Sequence, residues 1–258
     1  MPISGPDVAL YEKRGHIAII TMNRTERLNA MGGGLSERIR EHWETVNADD
    51  DVWAAILTGA GRAFCAGADL KDRNERGVPD ESSSPLLRGA SSWAPVQTWK
   101  PTIAAINGYC VAGGFGVAMS CDVRLAAESA QFAITEVKVN GLFPGRLEYF
   151  PTIGVACEML IWGQYCSAQR MKEINFVNKV VPDDQLMEEA LRWAELVCEN
   201  APTSVRMTKQ WVYLAQGMNP YQQLQFRNSL FRSLTQMDDF REGPRAFVEK
   251  RKPQWKLR

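Results

Sequence analysis

The pattern of apolar and polar positions changes once along the chain. In the first part, short apolar runs typical of buried strands alternate with segments that repeat at the period of a helix. Strands are predicted over residues 16–23, 53–58, 102–106 and 123–126, and helices over residues 34–48, 86–98 and 114–120. This alternation predicts an α/β sheet as the fold class.

After residues 176–181 the pattern becomes helical throughout. Prolines introduce most of these segments, and helices are predicted over residues 183–199, 203–216, 220–234 and 240–250. We therefore divide the chain into a core, residues 1–182, and a C-terminal helical region, residues 183–258. Within the core, residues 71–85 carry charges and a Ser-Ser-Ser-Pro run, and this stretch is long enough to act as a lid.

One glycine-rich segment is poorly explained by packing in a regular element. Residues 107–122 are mostly apolar, but they contain the adjacent Gly113 and Gly114 and, two positions later, Gly116. Glycine costs about 1 kcal/mol relative to alanine inside a helix, so the cluster indicates backbone that approaches another group closely. If residues 117–121 are helical, the N–H groups at the helix start would suit a phosphate or a developing oxyanion. Close packing of a helix on a strand explains the glycines equally well.

The usual nucleotide-binding motifs are missing. Phe115 and Gly116 stand where a phosphate-binding loop has Gly-Lys-Ser/Thr, and Gly59-Ala-Gly61 is followed by Arg-Ala-Phe instead of the dinucleotide fingerprint. A second segment, residues 52–70, resembles residues 107–122 because small residues again follow a predicted strand. Residues 52–58 are predicted as a strand and residues 59–62 as its turn, and the small residues 66–68 again permit close approach of the backbone.

Charge and composition narrow the possible partners. The 30 basic and 30 acidic residues cancel, which does not favour nucleic acid or an anionic membrane. No apolar run approaches the roughly 20 residues that span a bilayer, and residues 1–10 lack the features of a signal peptide, so we expect a cytoplasmic location. The six cysteines are isolated and His16 and His42 are the only histidines, so no metal site or hydrolase motif is predicted.

Together these segments resemble the crotonase (enoyl-CoA hydratase/isomerase) family. The resemblance implies a spiral of repeated β-β-α units with a C-terminal helical trimerisation region, assembled as a homotrimer or a dimer of trimers. It also implies an acyl-CoA thioester as the substrate, with CoA as part of that substrate and no further cofactor. The matching stretches occur in family order at residues 20–24, 28–30, 64–70, 100–109, 112–114, 121–122, 177–182, 241–243 and 246–253.

The resemblance also assigns an oxyanion hole, which holds the thioester oxygen as it becomes enolate-like. Matched residue by residue, its two N–H donors are those of Ala68 and Gly113, and one such donor can be worth about 3 kcal/mol. Phe231 and Lys250 of the C-terminal helical region are expected to reach the CoA nucleotide, although helix packing and solvation explain both residues as well. The other residues expected to bind the substrate or CoA are Arg24, Arg27, Ala66, Asp69, Leu70, Gly114 and Gly116.

Hydratases of the family use two glutamates to handle one water, and this chain departs from that pattern. Gly116 stands at the position of the first glutamate and Glu136 at the position of the second, so one carboxylate remains. We expect Glu136 to act as general acid and base, with its pKa raised by an apolar site. Without the resemblance, we would explain Glu136 as a favourable negative charge near the start of a helix that Thr135 caps. Glu148 is either a replacement carboxylate or a solvated loop charge, and its place in a loop favours the latter.

Three activities fit one glutamate beside an oxyanion hole. We rank a hydro-lyase first because Phe115 and the pair Thr135-Glu136 resemble lyase-type members of the family. This activity includes hydration coupled to retro-aldol cleavage of a bulky or aromatic acyl-CoA. The second activity is isomerisation of an enoyl-CoA double bond by the same glutamate. The third is binding of an acyl-CoA with little catalysis.

Overall fold

The computed structural model describes residue 5 and residues 8–71, 98–143, 145 and 147–257. Its strands are β1 (Ala9–Arg14), β2 (Ile17–Met22), β3 (Ala54–Gly59), β4 (Ala63–Cys65), β5 (Thr102–Ile106), β6 (Tyr109–Val111), β7 (Val123–Ala127), β8 (Gln131–Ala133), β9 (Cys166–Ser167) and β10 (Lys179–Val181). Its α-helices are α1 (Leu35–Ala48), α2 (Gly113–Met119), α3 (Ile153–Trp162), α4 (Ala168–Glu173), α5 (Leu186–Cys198), α6 (Pro202–Leu214), α7 (Pro220–Thr235) and α8 (Asp239–Val248).

The strands form two sheets that the chain visits in turn. The larger sheet has the order β1-β2-β3-β5-β7-β10, and the smaller sheet has the order β4-β6-β8-β9. The pairs β3/β4, β5/β6 and β7/β8 each place one strand in the larger sheet and the next in the smaller one. This repeated winding is the spiral that the resemblance implied, and the α/β fold class is confirmed.

The larger sheet is covered on both faces, which explains its nearly continuous apolar strands. On one face, alternate residues such as Ile19, Ile56 and Leu125 pack against α5. On the other face, residues such as Ile20 and Leu57 pack in a cluster that includes α1, α2 and the smaller sheet. The main core therefore lies between the larger sheet and the layer that carries β4, β6 and β8.

Tight turns carry the chain from one sheet to the other. A Cβ atom on Gly108, whose φ is +103°, would collide with the carbonyl oxygen of Arg62, so only glycine fits there. The buried Asn29 side chain donates hydrogen bonds of 3.0 and 2.7 Å to the carbonyl oxygens of Ala60 and Ala63. These contacts fix the turn between β3 and β4.

The C-terminal helices differ in how much they bury. Helix α6 is held on the core by Asp122, whose carboxylate is 2.8 Å from Nζ of Lys209 and accepts a hydrogen bond of 2.8 Å from the hydroxyl of Tyr213. Helix α7, every residue of which is described, has no buried residue, and Tyr221 on it is 70% exposed. No helix in the described part of the chain is long and apolar enough to cross a membrane.

The predicted elements agree with the structure in type, and most of their ends agree within two residues. Strand β5 and the start of α7 fall where the pattern placed them, and α2 begins one residue early, at Gly113. The predicted helix over residues 86–98 and the predicted lid over residues 71–85 lie outside the described residues apart from Thr98 and Lys71. The described strands and α-helices that the pattern did not predict are β1, β10, the strands of the smaller sheet, α3 and α4.

Candidate active site

The predicted catalytic residues follow three neighbouring strands of the smaller sheet. Strands β4, β6 and β8 are parallel, with Cys65 paired to Cys110 and Val111 paired to Ala133. The carboxyl ends of parallel strands meet at one edge of a sheet, where α/β proteins commonly bind ligands. Residues 66–68, 112–113 and 134–136 leave the sheet at this edge, so Ala68, Gly113 and Glu136 all follow strand ends on the same side of the sheet.

The loop after β4 turns the N–H group of Ala68 toward this edge. The carbonyl oxygen of Gly67 accepts a hydrogen bond of 2.6 Å from the N–H of Met31. The carbonyl of Gly67 and the N–H of Ala68 belong to one planar trans peptide and therefore point in opposite directions. The N–H of Ala68 thus points away from Met31, and no protein acceptor takes it within the described residues.

Close approach of two loops brings the second N–H group beside the first. A Cβ atom on Gly67, whose φ is +89°, would lie 3.1 Å from the backbone nitrogen of Gly113 and 2.8 Å from Cβ of Ala112. Ala112 itself has a φ of 50° and a ψ of −123°, an uncommon conformation for a residue with a side chain. This conformation starts α2 sharply, so the N–H of Gly113 lies at the open first turn of the helix.

The adjacent glycine has a different role. A Cβ atom on Gly114 would collide with the carbonyl oxygen of Cys65. Both explanations of the glycine-rich segment therefore hold, at neighbouring positions: Gly114 permits close packing of α2 on β4, and Gly113 presents an N–H group at the helix start.

Glu136 supplies the carboxyl group at the same edge. Its Oε2 atom is buried and has no hydrogen-bond partner among the described residues. Burial raises the pKa of the Glu136 carboxyl above its ordinary value, while contacts with the backbone N–H groups of Glu136 and Thr135 oppose the rise. Thr135 precedes the short 3-10 helix Glu136–Val139 but makes no side-chain cap hydrogen bond. An orphaned carboxyl oxygen is costly in a buried site, so its retention points to a chemical role.

A sequence model of the family described as enoyl-CoA hydratase/isomerase matches residues 12–258. The chain belongs to this family. A curated relative, the mevalonyl-coenzyme A hydratase of Aspergillus fumigatus, is 37% identical over 251 residues, which cover 93% of this chain and 92% of the relative. The (E)-benzylidenesuccinyl-CoA hydratase of Thauera aromatica is 36% identical and is covered to 96%, with 94% of this chain aligned.

Solved structures of the family agree with the fold. The crystal structure of an enoyl-CoA hydratase from Bacillus anthracis superposes with a TM-score of 0.88 at 32% sequence identity. That alignment covers 97% of this chain and 100% of the Bacillus anthracis chain. The crotonase-type spiral is therefore shown by strand order and by structural similarity independently.

Several residues expected to bind the substrate lie around this edge. Ala66 is half-buried and Leu70 is exposed, on either side of the Ala68 loop, and Gly116 is buried in α2. The guanidinium group of Arg24 is directed inward, where one nitrogen lies 2.9 Å from Oδ2 of Asp69. Arg27 is exposed at the end of the 3-10 turn Thr25–Arg27.

The two residues expected to reach the CoA nucleotide lie on the C-terminal helices. Phe231 on α7 is 48% exposed and packs edge-to-face on Phe240, with ring centroids 5.9 Å apart. Lys250 is exposed and follows α8 with a φ of 51°. Their assignment to CoA binding stays a prediction.

Glu148 belongs to a different part of the molecule. It is exposed and lines a cavity of about 650 Å³ between α6 and the 3-10 turn Leu147–Tyr149, together with Lys209 and Tyr213. Ala68, Gly113 and Glu136 do not line this cavity. This placement fits the favoured interpretation of Glu148 as a solvated charge.

Sequence reasoning missed the residues that hold the Ala68 loop. Met31 and Leu28 contact it through hydrogen bonds with Gly67 and Ala66, and the neighbouring Asn29, which has a left-handed φ of 55°, bonds to Ala63 at the start of β4. The matching stretch Leu28-Asn-Ala30 was the available signal, because asparagine tolerates this conformation and can bond to backbone at turns.

Proposed function

We propose that this protein is an enoyl-CoA hydratase, which adds water across the double bond of a conjugated acyl-CoA thioester and catalyses the reverse dehydration. The observation that carries the proposal is the orphaned, buried oxygen of Glu136 at the same strand edge as the N–H groups of Ala68 and Gly113. A carboxyl group and two preorganised donors are what proton transfer coupled to enolate formation requires.

The proposed reaction balances with one carboxyl group. Glu136, as a carboxylate, takes a proton from water while the water oxygen bonds to Cβ of the substrate. The π electrons move onto the thioester oxygen, where the N–H groups of Ala68 and Gly113 stabilise the enolate. Glu136 then gives its proton to Cα as the carbonyl re-forms. These steps move protons and electron pairs within water, enzyme and thioester, and so need no redox cofactor.

The raised pKa of Glu136 suits both steps. A group that must gain and then lose a proton works best when its pKa approaches the working pH. Burial moves the Glu136 carboxyl in that direction. The loss of a second carboxyl group at Gly116 also removes the like-charge neighbour that would otherwise complicate its titration.

For the substrate we propose a branched or aromatic acyl group. Gly116, buried in α2, stands where family hydratases carry their first glutamate, and the missing side chain frees volume near the oxyanion hole. Two relatives named for mevalonyl-CoA and (E)-benzylidenesuccinyl-CoA support this choice, because both acyl groups are bulkier than crotonyl. Retro-aldol cleavage of the hydrated product is the further step that such a substrate would allow.

We also propose that the protein acts as a homotrimer or a dimer of trimers in the cytoplasm. Support for assembly comes from α7 and α8, where apolar side chains such as Tyr221, Phe231 and Phe247 are exposed. Exposed apolar patches of this kind mark protein interfaces. In such an assembly, residues 183–258 would complete the CoA site through Phe231 and Lys250.

The experiment that tests the proposed activity follows the absorbance band of the conjugated thioester. The panel contains crotonyl-CoA, a 3-methyl-branched enoyl-CoA and an aryl-acryloyl-CoA, and mass spectrometry detects addition of one water. Hydration removes the band, and we expect the fastest loss with a bulky substrate. If the band persists with every substrate although the CoA esters bind, the protein binds acyl-CoA without hydrating it.

The second candidate is an enoyl-CoA isomerase, favoured by the presence of one carboxyl group where hydratases have two. Glu136 would then remove a proton and return it two carbons away, with the same enolate held by Ala68 and Gly113. The same instrument separates the two reactions, because isomerisation of a 3-enoyl-CoA creates the conjugated band that hydration removes. Growth of the band at a rate above that of hydration would replace the first proposal with this one.

A further inference from the structure

The guanidinium group of Arg24 is enclosed within the protein. It donates a hydrogen bond of 2.9 Å to the carbonyl oxygen of Ala30 and another of 2.9 Å to Oδ2 of Asp69. The side chains of Arg24 and Asp69 are only 13% and 6% exposed. A Cβ atom on Gly33 would lie 2.9 Å from Nε of Arg24, so the chain packs tightly against the third nitrogen as well. This geometry directs the charge of Arg24 into the protein and away from a ligand.

Asp69 is the residue that follows the first oxyanion donor. Its own N–H donates to the carbonyl oxygen of Met31 at 2.9 Å, while the N–H of Met31 donates to the carbonyl oxygen of Gly67 at 2.6 Å. These two bonds bracket Ala68 on both sides in sequence. Oδ1 of Asp69 also accepts a hydrogen bond of 3.2 Å from the N–H of Lys71, which fixes the chain just beyond the loop.

Arg24 and Asp69 therefore join two segments, around residues 30–31 and residues 67–69, whose hydrogen bonds set the orientation of the Gly67–Ala68 peptide. Arg24 holds residue 30 through its carbonyl and residue 69 through its carboxylate, and residues 30 and 69 flank the bonded pair of Met31 and Gly67. The Gly67–Ala68 peptide is planar, so a rotation that loosens the carbonyl of Gly67 turns the N–H of Ala68 by the same angle.

We propose that the Arg24–Asp69 ion pair is a positioning pair, which fixes the Gly67–Ala68 peptide so that the N–H of Ala68 points at the thioester oxygen. This inference rests on the proposed function. It replaces the sequence-based expectation that Arg24 and Asp69 bind CoA. The planar guanidinium fork bridges two acceptors at fixed angles, which a lysine ammonium at the same position reproduces only in part.

The test uses Asp69→Asn, which keeps the shape of the side chain, Arg24→Lys, which keeps the charge, and the double variant. We expect kcat to fall by about 10- to 100-fold in Asp69→Asn and by less in Arg24→Lys, because misplacing one reacting group by about 1 Å can cost that much. The double variant should be little worse than Asp69→Asn, because the two residues act through one contact. Dissociation constants for free CoA and for a thioether analogue without the carbonyl should stay within about twofold.

A spectroscopic measurement separates positioning from general structural support. A bound aryl-acryloyl-CoA absorbs at longer wavelength when donors polarise its carbonyl, and Glu136→Gln as the parent prevents turnover during the measurement. We expect the parent to show this red shift and the added Asp69→Asn or Arg24→Lys change to reduce it. Lys209→Gln provides the control, since Lys209 and Asp122 form another enclosed ion pair, with side chains 7% and 20% exposed. This control should lose stability without losing the red shift.

Each outcome decides the inference. An unchanged red shift together with weaker binding of free CoA would overturn it and restore the CoA-binding role of Arg24. A parent that binds CoA thioesters but shows no red shift would overturn both this inference and the proposed oxyanion hole. Should Asp69→Asn not fold, Arg24→Lys carries the same measurement. The positioning role is supported if the Glu136→Gln parent shows the red shift, and if Asp69→Asn or Arg24→Lys reduces it while the affinity for free CoA is retained.

Discussion

The candidate active site and the C-terminal helices use the same chain in opposite ways. At the site, backbone geometry determines almost everything: two N–H groups, a left-handed glycine and a packed helix start are fixed by contacts with buried atoms. On α7 and α8, large side chains such as Phe247, which is 85% exposed, have few contacts within the chain. The three predicted catalytic groups of the first region come from one stretch of chain, while the second region presents surface that fits a partner or a ligand.

This difference predicts which property, turnover, CoA affinity or assembly, a substitution in each region should change. Changes at the strand edge should reduce turnover while CoA affinity is kept, because the proposed mechanism places the groups there at the reacting carbons and the thioester oxygen. Changes on the C-terminal helices should affect affinity and assembly while the chemical step is kept. Each prediction below would break this division or define it more sharply.

The largest effect is expected from Glu136→Gln, which should lower kcat by at least about 100-fold through loss of general acid-base catalysis. In wild type, activity that depends on the carboxylate should decline as the pH falls through the raised pKa of Glu136. Steady-state kinetics across pH check both expectations. Unchanged turnover on the best substrate would remove Glu136 from the mechanism.

The same variant should show the opposite effect on stability. A raised pKa in the folded state means that ionisation of Glu136 opposes folding, so its favourable contribution is present at low pH and is lost as the pH rises through the folded pKa. Glu136→Gln should therefore melt at a higher temperature than wild type at neutral pH, and this advantage should disappear below the ordinary carboxyl pKa of 4.5. A lower melting temperature at neutral pH would contradict the burial argument.

Gly114→Ala should have the next largest effect. The new Cβ collides with the carbonyl oxygen of Cys65, so α2 must move away from β4 and carry Gly113 with it. We expect a loss of about 2 kcal/mol in unfolding free energy and about 10- to 100-fold in kcat. Gly154→Ala on α3 is the matched control, since its Cβ would meet only the Thr152 hydroxyl at 3.8 Å. Equal behaviour of the two variants would show that the close contact is not needed.

Gly116→Glu should change the preferred substrate. A second carboxylate near Glu136 should raise hydration of crotonyl-CoA by about tenfold, as paired acid-base groups permit, while bulky acyl groups lose their space. Rates on crotonyl-CoA and on an aryl-acryloyl-CoA are compared after folding is verified. A folded variant without this gain, beside a wild type already fast on crotonyl-CoA, would mean that another residue fills the missing role.

The smallest effect is expected from Phe231→Ser on α7. If Phe231 packs on the CoA nucleotide, KM should rise about fivefold, equivalent to about 1 kcal/mol, with kcat unchanged. The control substrate is the corresponding pantetheine thioester, which lacks the nucleotide and should show no change in KM. A drop in kcat with both substrates would assign Phe231 to assembly or folding instead.

Local signals in the sequence selected the two segments of the proposed oxyanion hole but did not predict the sheet that joins them. Gly113 and Gly114 stand out because adjacent glycines are unfavourable in a regular element. Strands β4, β6 and β8 have three residues each, too few to show a period of two, and their parallel pairing depends on distant parts of the chain. Strands β2, β3, β5 and β7 of the larger sheet were easier to predict because they are longer, buried and nearly continuously apolar.

The roles of some side chains depend on contacts that no local pattern contains. Arg24 and Asp69 are 45 positions apart, so their ion pair follows only from the folded path of the chain. The unusual conformation of Ala112 is equally hidden, because alanine gives no sign of a positive φ. Glu136 could be selected by resemblance, but its orphaned oxygen required the surrounding packing.

The winding of the chain between two sheets also bears on how the protein folds. Ala68, Gly113 and Glu136 follow three strands from successive windings, β4, β6 and β8, which pair in parallel across the smaller sheet. Parallel pairings of this kind close long loops and form slowly. A nascent chain therefore cannot polarise a thioester until most of the spiral is assembled. During refolding, recovery of activity should coincide with closure of the smaller sheet and should follow helix formation.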